Sequence, residues 1–179
     1  MSTITCRCGD TALELTGAPI MTATCHCTSC RRAAAELTAR PGAAPVVDAY
    51  GGTPYVMWRK DRVKVLRGAG HLREHRLSPK GSRRPKGSRR VVARCCNSPL
   101  YLNFPGGHWL SLYAVRFDDP PPPGLRTMLM DVEGPWPDDD VPGAKRQTAR
   151  FMGKLLLSWA ATGFRRFPLE PMPPLEDAG

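Results

Sequence analysis

Aromatic side chains are scarce in this chain, 7 % of its 179 residues. From Arg59 to Arg94, its most basic stretch, they are missing, with Trp58 alone at the edge. A surface that stacks single-stranded bases needs several aromatics among its cations, so nucleic-acid binding is a secondary reading. No apolar run reaches the ~20 residues that cross a bilayer. The opening Met1-Ser2-Thr3-Ile4-Thr5-Cys6 has no basic region leading into an apolar stretch, which sets the expectation of a cytoplasmic protein. Histidine is also sparse: His26, His71, His75 and His108 are the four in the chain, and each reads as a packing or surface residue before a catalytic base.

Cysteine, by contrast, is clustered. Five of the seven fall in Cys6-Arg7-Cys8 and Cys25-His26-Cys27-Thr28-Ser29-Cys30, and the other two are the neighbours Cys95 and Cys96. In a reducing compartment such spacing points to metal binding or catalysis before disulfides. Thiolates one to three residues apart on a turning backbone can converge on one ion, and a set of three leaves a coordination position open.

Charge is clustered as well. Between Arg59 and Arg94 fourteen Lys and Arg face only Asp61 and Glu74, a local net of +12 in a chain whose total is +10, so the remainder sums to −2. Inside this stretch Pro79-Lys80-Gly81-Ser82-Arg83-Arg84 is repeated at once as Pro85-Lys86-Gly87-Ser88-Arg89-Arg90. The copy lengthens a loop between two strands at little entropic cost, and an exposed, mobile loop is expected there.

Alternating stretches predict strands at Ile4 to Cys6, Thr11 to Thr16, Ile20 to Thr24, Tyr55 to Trp58, Val63 to Arg67, Leu72 to Leu77, Val91 to Cys95, Leu100 to Phe104 and Trp109 to Phe117. A short helix is expected at Arg31 to Leu37, stopped by Pro41-Gly42. Eleven of the nineteen prolines lie from Pro120 to Pro174, so residues 1–119 are assigned to a β domain and 120–179 to a proline-rich extension. Within the extension a helix is predicted at about 144–162, with Thr148, Met152, Leu155, Leu156 and Trp159 on one face. It would dock on the core or on a second copy in a homo-oligomer. Residues after Pro168 are expected to form a loose tail.

Taken together, Cys6-x-Cys8-Gly9, Cys25-His26-Cys27-x-x-Cys30-Arg31-Arg32 and Cys96-Asn97-Ser98-Pro99-Leu100 resemble the glutathione-dependent formaldehyde-activating enzyme (GFA) family, which includes centromere protein V. The resemblance covers roughly residues 2–117. It implies a mainly β fold, a zinc-binding β-sandwich of GFA-like type, here followed by the C-terminal amphipathic helix. It also implies a structural zinc at Cys6, Cys8 and the late motif, and a second zinc with an open position at Cys25, Cys27 and Cys30. The late motif departs from the family pattern. Ala93 stands where a further cysteine is expected, Cys95 has appeared beside Cys96, and Asn97 replaces glycine. Neighbouring side chains on extended backbone point to opposite faces, so three arrangements stay open: Cys6, Cys8, Cys95 and Cys96 together; Cys6, Cys8 and Cys96 with a borrowed ligand; or buried sulfurs without metal. A tight turn at Asn97 would reconcile the first.

The function implied is a carbon–sulfur lyase acting on a thiol–aldehyde adduct such as S-hydroxymethylglutathione. Glutathione is the anionic partner, and Arg83, Arg84, Arg89 and Arg90 are the candidates to grip its carboxylates. The alternatives are a non-catalytic zinc-stabilised interaction protein and a basic nucleic-acid-binding zinc module.

Overall fold

The computed structural model describes residues 1–77, 87–132 and 139–176. Among the described residues, ten strands and two α-helices are arranged in two sheets with a helical layer. The strands are β1 (Ser2–Thr5), β2 (Ala12–Leu15), β3 (Met21–Cys25), β4 (Thr53–Arg59), β5 (Val63–Arg67), β6 (Leu72–His75), β7 (Arg89–Ala93), β8 (Ser98–Asn103), β9 (Trp109–Tyr113) and β10 (Arg126–Thr127). The helices are α1 (Thr28–Thr38) and α2 (Ala149–Ala160). A small sheet has the order β1-β2-β5, and a large one β10-β3-β4-β9-β8-β7-β6. Every pairing is antiparallel except β10 with β3. The chain is mainly β, as expected.

Side-chain alternation along the central strands decides what packs where. On β4, Val56 and Trp58 join Ile4, Leu13 and Leu15 of the small sheet and Leu110 and Leu112 of β9 in the inter-sheet core. Tyr55 and Met57 point the other way. Tyr55 packs with Cys30 and Ala34 of α1, and Met57 with Phe151 and Leu155 of α2. The large sheet therefore carries the small sheet on one face and both helices on the other. Strands buried on both faces read as near-continuous apolar runs, and this explains why Tyr-Val-Met-Trp is apolar without a gap.

Several boundaries differ from the sequence reading. Helix α1 starts at Thr28, before the expected Arg31, because Cys27 caps it: its side chain accepts from the Cys30 N–H. Strand β7 stops at Ala93, short of Cys95, and β9 stops at Tyr113, followed by a 3-10 turn over Ala114–Arg116. Helix α2 is shorter than 144–162, since Thr148 is its N-cap and accepts from Phe151 N at 3.1 Å. Its buried residues are Phe151 and Leu155, whereas Met152 and Leu156 are 54 % and 55 % exposed. Of the expected apolar face Leu155 is buried, Met152 and Leu156 turn to solvent, and the buried Phe151 was not among the residues named.

The stretch after Pro168 is not loose in its described part. Leu169 and Met172 pack on the inter-sheet core. Glu74 N donates to Pro173 O at 2.9 Å, and Leu175 N donates to Glu74 O at 2.8 Å. This strap covers the outer edge of β6, a position where an unpaired strand would otherwise invite other chains. The duplicated basic repeat falls largely at residues 78–86, outside the described residues.

Leu112 is fully buried between the sheets. Leu112→Ala is expected to lower stability by about 2–5 kcal/mol, measured as a reduced urea midpoint with the cysteine chemistry unchanged.

Candidate metal centres

All seven cysteines are free thiols, and the fold gathers them into two groups. The first is built from loops that sit far apart in sequence. After β1, a turn closed by Gly9 N donating to Cys6 O at 3.0 Å sets Cys6 and Cys8 side by side, with Gly9 at φ +83°. Residues 94–97 turn β7 back into β8, and Asn97 adopts φ 51°. Asparagine is among the few non-glycine residues that take this left-handed conformation readily. Cys6 Sγ lies 3.5 Å from Cys8 Sγ and 3.7 Å from Cys95 Sγ, and Cys8 Sγ lies 3.4 Å from Cys95 Sγ. With Cys96, all four sulfurs fall within 4.8 Å of one another.

Sulfurs bound tetrahedrally at about 2.3 Å sit roughly 3.8 Å apart. The four-sulfur group therefore has the donor set and spacing of a closed metal site. The turn resolves the problem posed by adjacent cysteines, because at Cys95 and Cys96 the backbone is no longer extended.

Three neighbours to which the sequence reading gave no role support this group. Thr11 N donates to Cys6 Sγ at 3.3 Å. Ser98 Oγ accepts from Arg7 N and from Arg116 Nη1, each at 3.1 Å, and lies 3.1 Å from Cys96 Sγ. Burial acts to raise the Cys96 thiol, but hydrogen bonds from Ser98 and the Cys8 backbone prevail and bring it down to about 6. Burial holds Arg116 below the usual guanidinium range, and the charges of Cys96 and Cys6 partly offset it. A buried cation beside four sulfurs is a counter-charge that no spacing rule announces.

The second group is local. β3 ends at Cys25, Cys27 caps α1, and Cys30 lies in its first turn, so three sulfurs meet within 4.8 Å at the helix N-terminus. Hydrogen bonds from Cys25 and Cys30 hold the Cys27 thiol far below its ordinary range, and the Cys30 N–H and Ser29 hydroxyl add to them. The same hydrogen bonds push Cys25 up. Negative charge thus concentrates on Cys27, where exposed helix N–H groups and the positive end of the helix dipole favour it. The start of α1 is held from outside by Asp131, whose carboxylate accepts from Thr28 N at 3.0 Å and whose carbonyl accepts from Arg31 Nη1 at 3.0 Å.

Around this triplet lies a cavity of about 560 Å³ on the helical face of the large sheet. Tyr55 borders it and donates its hydroxyl toward Cys30 Sγ at 3.8 Å. Burial raises Tyr55 well above the usual phenol range and keeps it a neutral donor. Arg90, 1 % exposed, also borders the cavity. Its Nη2 donates to Ser29 O at 3.1 Å, and Nε and Nη1 are buried with no hydrogen-bond partner among the described residues.

The basic residues named from sequence divide. Arg90 reaches the triplet, but from a buried strand position and not from an exposed loop. Arg89, the next residue on β7, turns to the other face and pairs with Glu74 at 3.3 Å. Arg83 and Arg84 lie outside the described residues. His26 is fully buried and lies close to Gly52, where a Cβ would come within 2.5 Å of its ring; burial lowers its pKa. Among the described residues, no helix is long and apolar enough to cross a membrane.

Residues 1–121 match the family model of the glutathione-dependent formaldehyde-activating enzyme. No curated protein matches the sequence. Among solved structures, a crystal structure of a Rhodobacter sphaeroides protein is similar at 16 % identity with a TM-score of 0.45, covering 68 % of this chain and 92 % of that one.

Asn97 offers a direct check of the turn that carries Cys95 and Cys96. Asn97→Gly keeps the turn, since glycine takes positive φ freely, but loses the side-chain hydrogen bonds to Arg40 and Pro41 and is expected to unfold somewhat below the wild-type urea midpoint. Asn97→Ala loses the same bonds and is expected to be about 1–2 kcal/mol less stable than Asn97→Gly.

Proposed function

Because the chain belongs to the glutathione-dependent formaldehyde-activating enzyme family, we propose that it is a zinc-dependent carbon–sulfur lyase acting on a thiol–aldehyde adduct such as S-hydroxymethylglutathione. In this reading Cys25, Cys27 and Cys30 hold the reactive zinc. Cys6, Cys8, Cys95 and Cys96 hold a structural one.

The observation that carries the assignment is the contrast between the two sulfur groups. The four-sulfur group has a complete tetrahedral donor set and is packed round by Thr11, Ser98 and Arg116. The triplet has one donor fewer and borders a cavity that can admit a small molecule. Zinc bound by the triplet would supply a Lewis-acidic position for a substrate thiolate or aldehyde oxygen.

The chain's own groups account for the rest. Three thiolates with one divalent cation leave a net charge of −1, and the buried Arg90 guanidinium beside Cys30 offsets it and favours a further anionic sulfur. Tyr55 donates to the Cys30 sulfur and fixes its orientation. Hydrogen bonds from Cys25 and Cys30, together with the α1 N-terminus, favour Cys27 as thiolate. Apolar walls exclude water, which strengthens these interactions. The reaction is redox-neutral. In the cleavage direction the carbon–sulfur bond breaks, its electron pair leaves on sulfur, the hydroxyl proton is transferred to that sulfur and the carbonyl forms; the reverse makes the adduct.

The test is exchange between free and glutathione-bound formaldehyde followed by NMR on the zinc-loaded protein. Wild type is expected to accelerate exchange, Cys27→Ser to abolish the acceleration, and Arg90→Met to reduce it about 10- to 100-fold with the fold intact. Equal acceleration by wild type and Cys27→Ser would remove the lyase assignment.

A further inference from the structure

The cavity at the triplet is more apolar than the glutathione adduct of formaldehyde needs. Formaldehyde contributes a single carbon with no side chain. Yet Met57 of β4, Leu102 of β8, Trp109 of β9 and Met128 line the space next to the sulfurs. Arg90 is the one charged side chain among the described lining residues, and its Nη2 is already directed to the Ser29 carbonyl. Glutathione carries two carboxylates, so such walls suit another part of the adduct.

The remaining wall comes from α2. Phe151 and Leu155, 8 % and 3 % exposed, pack on Ala23 and Met57 and close one side of the cavity. Met152 lines it too while staying 54 % exposed, which places it where the cavity opens to solvent. These residues lie beyond residue 121, outside the stretch that matches the family model. A segment added to the family domain therefore supplies apolar surface to the site that the domain's cysteines define.

Resting on the lyase reading, we propose that this cavity binds the alkyl or aryl group of an aldehyde larger than formaldehyde, and that α2 sets the preference through Phe151, Met152 and Leu155. The substrate class is a thiohemiacetal of an apolar aldehyde. Its sulfur and hydroxyl-bearing carbon lie at the triplet and its chain lies along the sheet under α2.

The binding half of this proposal can be tested without turnover. Butan-1-ol, hexan-1-ol and octan-1-ol carry the chain but cannot form the adduct, and Trp109 in the cavity wall reports binding through intrinsic fluorescence of the full chain. Burial of a methylene corresponds to about fourfold in affinity. Saturable binding is expected, with hexan-1-ol about 16-fold tighter than butan-1-ol. Met152→Glu, at a half-exposed position that tolerates the change, is expected to weaken hexan-1-ol at least tenfold with an unchanged circular dichroism spectrum. Binding that does not saturate, affinity that ignores chain length, or an unaffected Met152→Glu variant overturns the proposal even if the formaldehyde adduct is cleaved. Conversely, chain-length-dependent binding lost in Met152→Glu, with neither the formaldehyde nor the hexanal adduct of glutathione cleaved, upholds the apolar-chain site and removes the lyase reading.

Discussion

Four sulfurs drawn from loops 87 or more residues apart meet within 4.8 Å. Most of the architecture depends on that closure. It joins the loop after β1 to the turn between β7 and β8, and so ties the small sheet to the far side of the large one. Thiolates at this distance repel strongly in a partly dry environment, and they stay together only if charge is neutralised by a cation or by protons. Arg116 supplies part of that charge, and a bound metal would supply more. The turn that makes the meeting possible rests on Asn97, whose positive φ lets two adjacent cysteines address one point.

The same turn reaches the helical face of the large sheet. Asn97 Nδ2 donates to Pro41 O at 3.0 Å, and Arg40 Nε donates to Asn97 Oδ1 at 3.3 Å. Both partners lie just past the C-terminus of α1, whose other end presents Cys27 and Cys30. The four-sulfur group thus holds one end of the helix while Asp131 holds the other. A disturbance at Cys95 or Cys96 would reach the triplet through a rigid helix of 11 residues. The two sulfur groups are separate in chemistry but share that element.

How legible this was depended on how local each feature is. The cysteine groups were readable because metal ligation fixes short spacings, and the central strands because a buried strand must be apolar. The adjacency of Cys95 and Cys96 was harder, since its resolution lies in one backbone angle, although asparagine in the glycine position was a usable signal. Arg90 was named for the wrong reason: a loop cation in sequence, it is a buried strand residue because the β7 register turns it toward α1. Helix α2 was found and Leu155 placed on its buried face, but Met152 and Leu156 were included wrongly and Phe151 was not named, since Leu155 and Leu156 are equally apolar and only tertiary packing selects between them. The cavity could not be read at all, being assembled from several strands and both helices. The strap after Pro168 was missed because its proline-rich composition looks disordered, whereas two main-chain hydrogen bonds to Glu74 secure it.

One metal ion per sulfur group, in sites of different kind, is what native mass spectrometry of the protein purified without added chelator can count, repeated on Cys27→Ser and Cys96→Ser. Two zinc ions are expected in the wild type, with one lost in each variant and the triplet's ion alone lost in Cys27→Ser. A single zinc that disappears only with Cys96→Ser would contradict it, leaving a structural site and no metal at the cavity.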